Sequence, residues 1–196
     1  MSQPIPAANV SSTEAAARMG NAPQGAATRT QATVDQPYRI LMVCLGNICR
    51  SPTAQGVMEQ QVAEAGLQQQ VQVDSAGTGD YHIGHAPDHR AQAHALKRGY
   101  DISAQRARQL ADADFEDFDL ILVMDAANER DVLARCPEQY RHKVQRLAGY
   151  GRQHQTDTVP DPYFGGAEGF EQVLDLVEDA CAGVLAEVLQ GADSKM

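Results

Sequence analysis

Cys44 and Arg50 bracket the segment Cys44-Leu-Gly-Asn-Ile-Cys-Arg50-Ser51-Pro52. A thiol and a guanidinium at this spacing make one kind of apparatus, a nucleophile beside a fork that grips an oxyanion. The thiolate is the nucleophilic form of cysteine, and amides at a helix N-terminus stabilise it. An arginine fork holds two phosphate oxygens at once, which lysine does not reproduce. Gly46 and Asn47 tolerate left-handed backbone, so the loop between can wind tightly. The amides of Leu45, Gly46, Asn47, Ile48 and Cys49 are then the expected cradle for an anion. Ser51 is placed to donate to the Cys44 sulfur, which would make that sulfur a better leaving group in a second step. The rival readings are a strand-end cysteine with a surface arginine, and a zinc pair of Cys44 and Cys49. His82, His85, His89 and His94 read as surface or packing residues rather than ligands, so no metal is expected.

The elements around this loop must hold it. Tyr38 to Cys44, YRILMVC, is a short apolar run rich in branched residues, the pattern of a strand buried on both faces. Pro52 suits the first turn of the helix that follows, and Gly66 suits its end. VQVDSAG predicts a second strand and residues 87–99 a second helix. FDLILVMD predicts a third strand, AANERDVLARC a third helix and VQRLAGY a fourth strand. Residues 168–190 carry Phe170, Val173, Leu174, Val177, Cys181, Val184, Leu185 and Val188 at helical spacing. Alternation of this kind predicts an α/β fold: a single domain with a central parallel sheet of about four strands and helices on both faces. Ligands of such sheets sit beyond the carboxyl ends of the strands, where Cys44 lies.

The totals narrow the class. With 43% hydrophobic and 21% charged residues, 196 positions suit one soluble globular domain. The net charge of −10 argues against nucleic acid and against an anionic membrane surface as partners. No apolar run reaches the roughly 20 residues of a bilayer span, and no secretion signal opens the chain. Four cysteines, at 44, 49, 136 and 181, are too sparse for a disulfide scaffold. A cytoplasmic location and a monomer are the expectations. Residues 1–36 are rich in Ala, Ser, Thr, Gln, Gly and Pro and are expected to form a disordered tail; a transit peptide is the alternative. Residues 37–190 form the expected catalytic domain, and 191–196 a short C-terminal tail.

The segment VCLGNICRSPTA closely resembles the phosphate loop of the low-molecular-weight protein tyrosine phosphatases. DSAGTGDYHIGHAPDHRA, VMDAAN and DPYFGG resemble further segments of that family, and the likeness runs from about Tyr38 to Leu189. The resemblance implies a phosphatase with Cys44 as nucleophile, Arg50 as phosphate clamp and Asp161 as general acid, without metal or organic cofactor. The residues support Asp161 independently, since it lies in a Pro- and Gly-flanked loop. By the same likeness Asn47, Ser51 and Ser75 support the loop through side-chain hydrogen bonds. Tyr81, Tyr163 and Phe164 would wall in an aromatic substrate, and Tyr163 is also a candidate for phosphorylation. One departure is Gln105, where many relatives carry histidine; glutamine can still donate and accept but cannot titrate.

The implied substrate is a phosphotyrosine-bearing protein, with a tyrosine kinase among the candidates. Arsenate reduction on the same fold is one alternative. It needs cysteines after the third strand, where Met124 stands, with Cys136 twelve residues on. Phosphoarginine hydrolysis is another, but Ile48 offers a guanidinium no hydrogen bond. A phosphate-binding module without turnover is the third. Because Cys44 and Cys49 share one tight loop, a disulfide between them is expected as a reversible off-state.

Overall fold

The computed structural model describes residues 36–193. The disordered tail expected for residues 1–36 therefore lies outside the described residues except for Gln36. The described residues open with strand β1 (Tyr38–Cys44), followed by helix α1 (Arg50–Glu64), strand β2 (Val71–Gly77) and helix α2 (His89–Lys97). A one-turn helix α3 (Asp114–Asp117) precedes strand β3 (Leu120–Val123), helix α4 (Ala126–Arg135), strand β4 (Val144–Arg146) and helix α5 (Ala167–Asp193). All four strands are parallel, in the order β2-β1-β3-β4.

β1 explains why the sheet is central. Ile40, Met42 and Cys44 enter one core with Ala54, Val57 and Met58 of α1 and Val173, Val177 and Val184 of α5. Leu41 and Val43 enter the opposite core, with Phe115 of α3, Phe118 and Val132 of α4. Successive side chains of a strand point to opposite faces, so a strand covered on both sides must be apolar throughout. Helices thus flank both faces, as the alternation of elements predicts.

Several boundaries depart from expectation, among them the third strand, which spans only Leu120–Val123 of FDLILVMD. The fourth strand ends at Arg146; Leu147–Tyr150 form a 3-10 turn that buries Leu147 and Ala148 instead of continuing the ladder. The second helix starts at His89 rather than at Pro87, because the Asp88 side chain accepts from the Arg90 amide and caps it. The last helix runs to Asp193, beyond the expected end at 190. The chain leaves β1 for β2 on one side and reaches β3 on the other. The helices after β1 and β3 pack on opposite faces, and this opens a crevice beyond the carboxyl ends of the two central strands.

Candidate active site

The loop after β1 fills that crevice. Its carbonyls turn outward. Cys44 O accepts from the Thr78 amide at 2.9 Å, Leu45 O from the Gly79 amide at 2.9 Å, and Ile48 O from the Asp88 amide at 2.7 Å. Fixing the carbonyls outside leaves the amides facing in, and among the described residues no main-chain oxygen accepts from those of Gly46, Ile48 and Cys49. α1 then begins at Arg50 with no side-chain cap and no acidic residue in its first turn. Its orphan amides and positive dipole end stay open to an anion. Close approach is needed behind the loop: a Cβ on Gly77 would sit 2.8 Å from Leu45 O and 3.2 Å from the Asn47 amide.

Asn47 is the hub. It has φ +53°, a left-handed conformation that asparagine tolerates, and is 2% exposed. Its backbone N–H donates to Cys44 Sγ at 3.3 Å. Its Oδ1 accepts from the Arg108 amide at 2.9 Å, which fixes the orientation of the side-chain amide. Nδ2 then donates both hydrogens, to Ser51 Oγ and Ser75 Oγ, each at 2.9 Å. Ser75 in turn donates to Gln55 Oε1 at 2.7 Å. Ser51 accepts from Asn47, and its own hydrogen faces Cys44 Sγ at 3.1 Å and the Ala76 carbonyl at 3.4 Å; the shorter contact and the charge of a thiolate favour the sulfur. A thiolate can only accept, so the network delivers two donors to the sulfur.

Arg50 is 2% exposed and ties its loop to two distant segments. Nη1 donates to Asp125 Oδ2 and, at 3.2 Å, to Val159 O. Nη2 donates to Asp161 Oδ2 at 2.9 Å. Asp125 also caps α4 by accepting from the Asn128 amide at 2.8 Å. Burial works to raise the Asp125 carboxyl, but the Asn128 amide and the Arg50 guanidinium outweigh it and hold the carboxyl below the ordinary aspartate value. Asp125 was not among the residues singled out in the sequence. Its residue type marks only a helix cap, and the resemblance of VMDAAN to the family carried no role for it.

Cys44, Leu45, Gly46, Ile48, Cys49, Arg50, Tyr81, Asp161, Tyr163 and Phe164 line one cleft of about 190 Å³. All belong to the expected set. Cys44 lies on the floor at 3% exposure, and Phe164 stands at the mouth at 97%. Tyr163 and Phe164 meet edge to face at 5.0 Å between ring centres. His82, read from the sequence as a surface or packing residue, is an eleventh wall residue; its ring covers Gly46 so closely that a Cβ there would meet it at 3.0 Å. Gln105 stands apart from the Asn47 network and donates to the Pro52 carbonyl at 3.1 Å. All four cysteines are free, and burial first, then the nearby Asp88 carboxylate, pushes the Cys49 thiol up to about 12.

A phosphate loop at the end of a central parallel strand, with cysteine, arginine and a facing aspartate, defines a cysteine-dependent phosphatase architecture. The profile of the family described as low molecular weight phosphotyrosine protein phosphatase matches residues 39–193, and the chain belongs to that family. A low molecular weight protein-tyrosine-phosphatase of Streptomyces coelicolor is 40% identical over 161 residues, covering 81% of this chain and 98% of the relative. Among solved structures, a protein tyrosine phosphatase from Entamoeba histolytica with Hepes in its active site superposes with a TM-score of 0.77 at 40% identity, over 79% of this chain and 98% of that one. Wzb of Vibrio vulnificus, in complex with benzylphosphonate, superposes with a TM-score of 0.66 at 29% identity, over 76% of this chain and 97% of that one.

Proposed function

We propose that the protein hydrolyses phosphotyrosine monoesters, with Cys44 as nucleophile, Arg50 as phosphate clamp and Asp161 as general acid. One observation carries the reading. The Arg50 fork joins Asp161 to the loop that surrounds Cys44, at the bottom of a cleft walled by Tyr81, Tyr163 and Phe164. Nucleophile, phosphate site and proton donor therefore converge beneath aromatic walls suited to a phenyl ring.

The Cys44 thiolate attacks phosphorus in line with the ester oxygen. The phosphorus–oxygen bond breaks as Asp161 passes a proton to the departing phenolate, leaving phosphocysteine. Asp161, now a carboxylate, takes a proton from water as the water attacks phosphorus, and the thiolate leaves with the Ser51 and Asn47 donors holding its charge. Loop amides and Arg50 hold the equatorial oxygens in both steps. The benzylphosphonate held by the Vibrio protein has the shape of this substrate. The arsenate alternative is disfavoured because Cys136 packs in the core on the opposite face of the sheet from Cys44.

The same reading extends to a phosphotyrosine protein as partner, a tyrosine kinase among them, to a cytoplasmic monomer, and to a redox off-state. In the off-state, peroxide oxidises the Cys44 thiolate to a sulfenic acid, the Cys49 thiol displaces water to form a disulfide, and two external thiols reduce it. The high-lying Cys49 thiol makes its attack slow at neutral pH.

The test is turnover of phosphotyrosine, phosphoserine and phosphoarginine peptides without added metal. Cleavage of the first alone is expected; preference for either of the others overturns the substrate assignment. For the acid, kcat/KM of Asp161→Asn should fall most for esters of weakly acidic phenols and least for those of strongly acidic ones. Equal losses across the series remove Asp161 from that role.

A further inference from the structure

Arg90 lies outside the cleft lining, yet it touches both halves of the machinery. Its guanidinium sits over the Tyr163 ring, 5.5 Å from the ring centre, and over the Phe170 ring of α5 at 5.0 Å. His94 lies flat on Phe170, with 5.5 Å between ring centres and 7° between planes. Tyr163, Arg90, Phe170 and His94 thus form a continuous stack from the substrate wall into the junction of α2 and α5.

The fork of Arg90 cannot turn freely. Nε donates to Asp88 Oδ1 at 3.0 Å and Nη2 to Oδ2 at 2.9 Å, a two-point grip on one carboxylate. Asp88 is itself anchored, because its backbone N–H donates to the Ile48 carbonyl of the phosphate loop at 2.7 Å. On the other side, the Tyr163 backbone N–H donates to Asp161 Oδ1 at 3.1 Å. A path of direct contacts therefore runs from the phosphate loop through Asp88, Arg90 and Tyr163 to the carboxylate of Asp161.

Resting on Asp161 as the general acid, we infer that Arg90 is a positioning residue that holds the Asp161–Tyr163 turn in register with the phosphate loop. It supplies a planar, rigid surface for Tyr163 rather than a charge for the substrate. A tilt of Tyr163 would carry the Asp161 carboxyl with it, and displacement of a reacting group by about 1 Å can cost up to about a hundredfold in rate. Lysine would keep the charge but offers neither the plane nor the two-point grip.

The experiment compares Arg90→Gln, Arg90→Lys and Asp161→Asn over a series of aryl phosphates differing in the acidity of the phenol, with kcat/KM as the readout and inorganic phosphate binding measured alongside. Arg90→Gln should lose about tenfold on the poorest leaving group, a part of the roughly 10²–10⁴ that a general acid supplies, and less than about twofold on the best. Arg90→Lys should match Arg90→Gln, and phosphate affinity should stay within about twofold of the parent in both. A loss uniform across the series, full rescue by lysine, an unchanged profile, or a parallel fall in phosphate affinity would each overturn the inference. If Asp161→Asn itself shows no leaving-group dependence, the general-acid reading fails first; if it does and Arg90→Gln does not, only the role of Arg90 fails.

Discussion

α1 and α4 both begin where a central parallel strand ends, and their first turns are built in opposite ways. α4 starts under Asp125, whose carboxylate accepts from the Asn128 amide and closes the helix end. α1 starts with neither a side-chain cap nor an acid in its first turn, and its approach loop turns carbonyls away. One end has filled its orphan donors from within the chain, and the other keeps them for a ligand. The two are also joined, since the same Asp125 that closes α4 holds Arg50 at the start of α1. A helix N-terminus becomes a site through what is withheld from it as much as through what is placed there.

Removing the proposed nucleophile is the severest way to break this contrast. Cys44→Ser should lower turnover at least about 10⁴-fold while inorganic phosphate still binds, because the open end of α1 and Arg50 remain. Loss of phosphate binding measured by calorimetry would show that the sulfur, not the helix end, defines the anion site. Arg50→Lys should cost about 10²–10³-fold in kcat, the scale of one lost transition-state donor. It should also weaken phosphate binding, because lysine cannot reach Asp125, Asp161 and substrate in one plane.

The closed end answers to stability instead. Asp125→Ala should destabilise the fold by about 1–2 kcal/mol in urea unfolding, the scale of a lost cap, and Asp125→Asn should recover most of that because asparagine also caps. The two variants differ in a second way. The folded Asp125 carboxyl lies below its unfolded value, so its contribution is fully present above the unfolded value of about 3.9 and is lost as pH falls through the lower folded value. Stability of the parent should drop over that acid range, and Asp125→Asn should flatten that part of the curve. The smallest effect is expected at Gln105, which makes one hydrogen bond to the first turn of α1. Gln105→Ala should cost about 0.5–1.5 kcal/mol and change kcat/KM less than about twofold.

How much of this was legible in the sequence depended on the range of each interaction. β1 could be read because both faces are buried, which leaves an unbroken apolar run. The cleft residues could be read because the loop is contiguous and its residue types are constrained by backbone geometry, as the φ of Asn47 shows. Asp125 could not, because its partner Arg50 is 75 positions away and its only local mark is that of a cap. The tie from Arg90 to Tyr163 was hidden for the same reason. The fourth strand was overextended because VQRLAGY is apolar enough for either conformation, and only the packing of Leu147 and Ala148 decides. Gln105 reaches the Pro52 carbonyl rather than the Asn47 network, and pattern locates a side chain on an element without saying which acceptor it finds.

The acceptors of Arg50 lie 75, 109 and 111 positions further along the chain. Synthesis delivers the loop from Cys44 to Arg50 before Asp161, the proposed acid. Val159 and Asp161 emerge only after most of the domain, and α5, which completes the core beneath β1, follows them. A growing polypeptide therefore carries Cys44 and Arg50 well before the carboxylate proposed as general acid is made. Long-range closure of this kind makes folding slower than local pairing would. It also ties assembly of the site to late segments of the domain, so that a chain ending before Asp161 lacks both the proposed acid and a partner of Arg50.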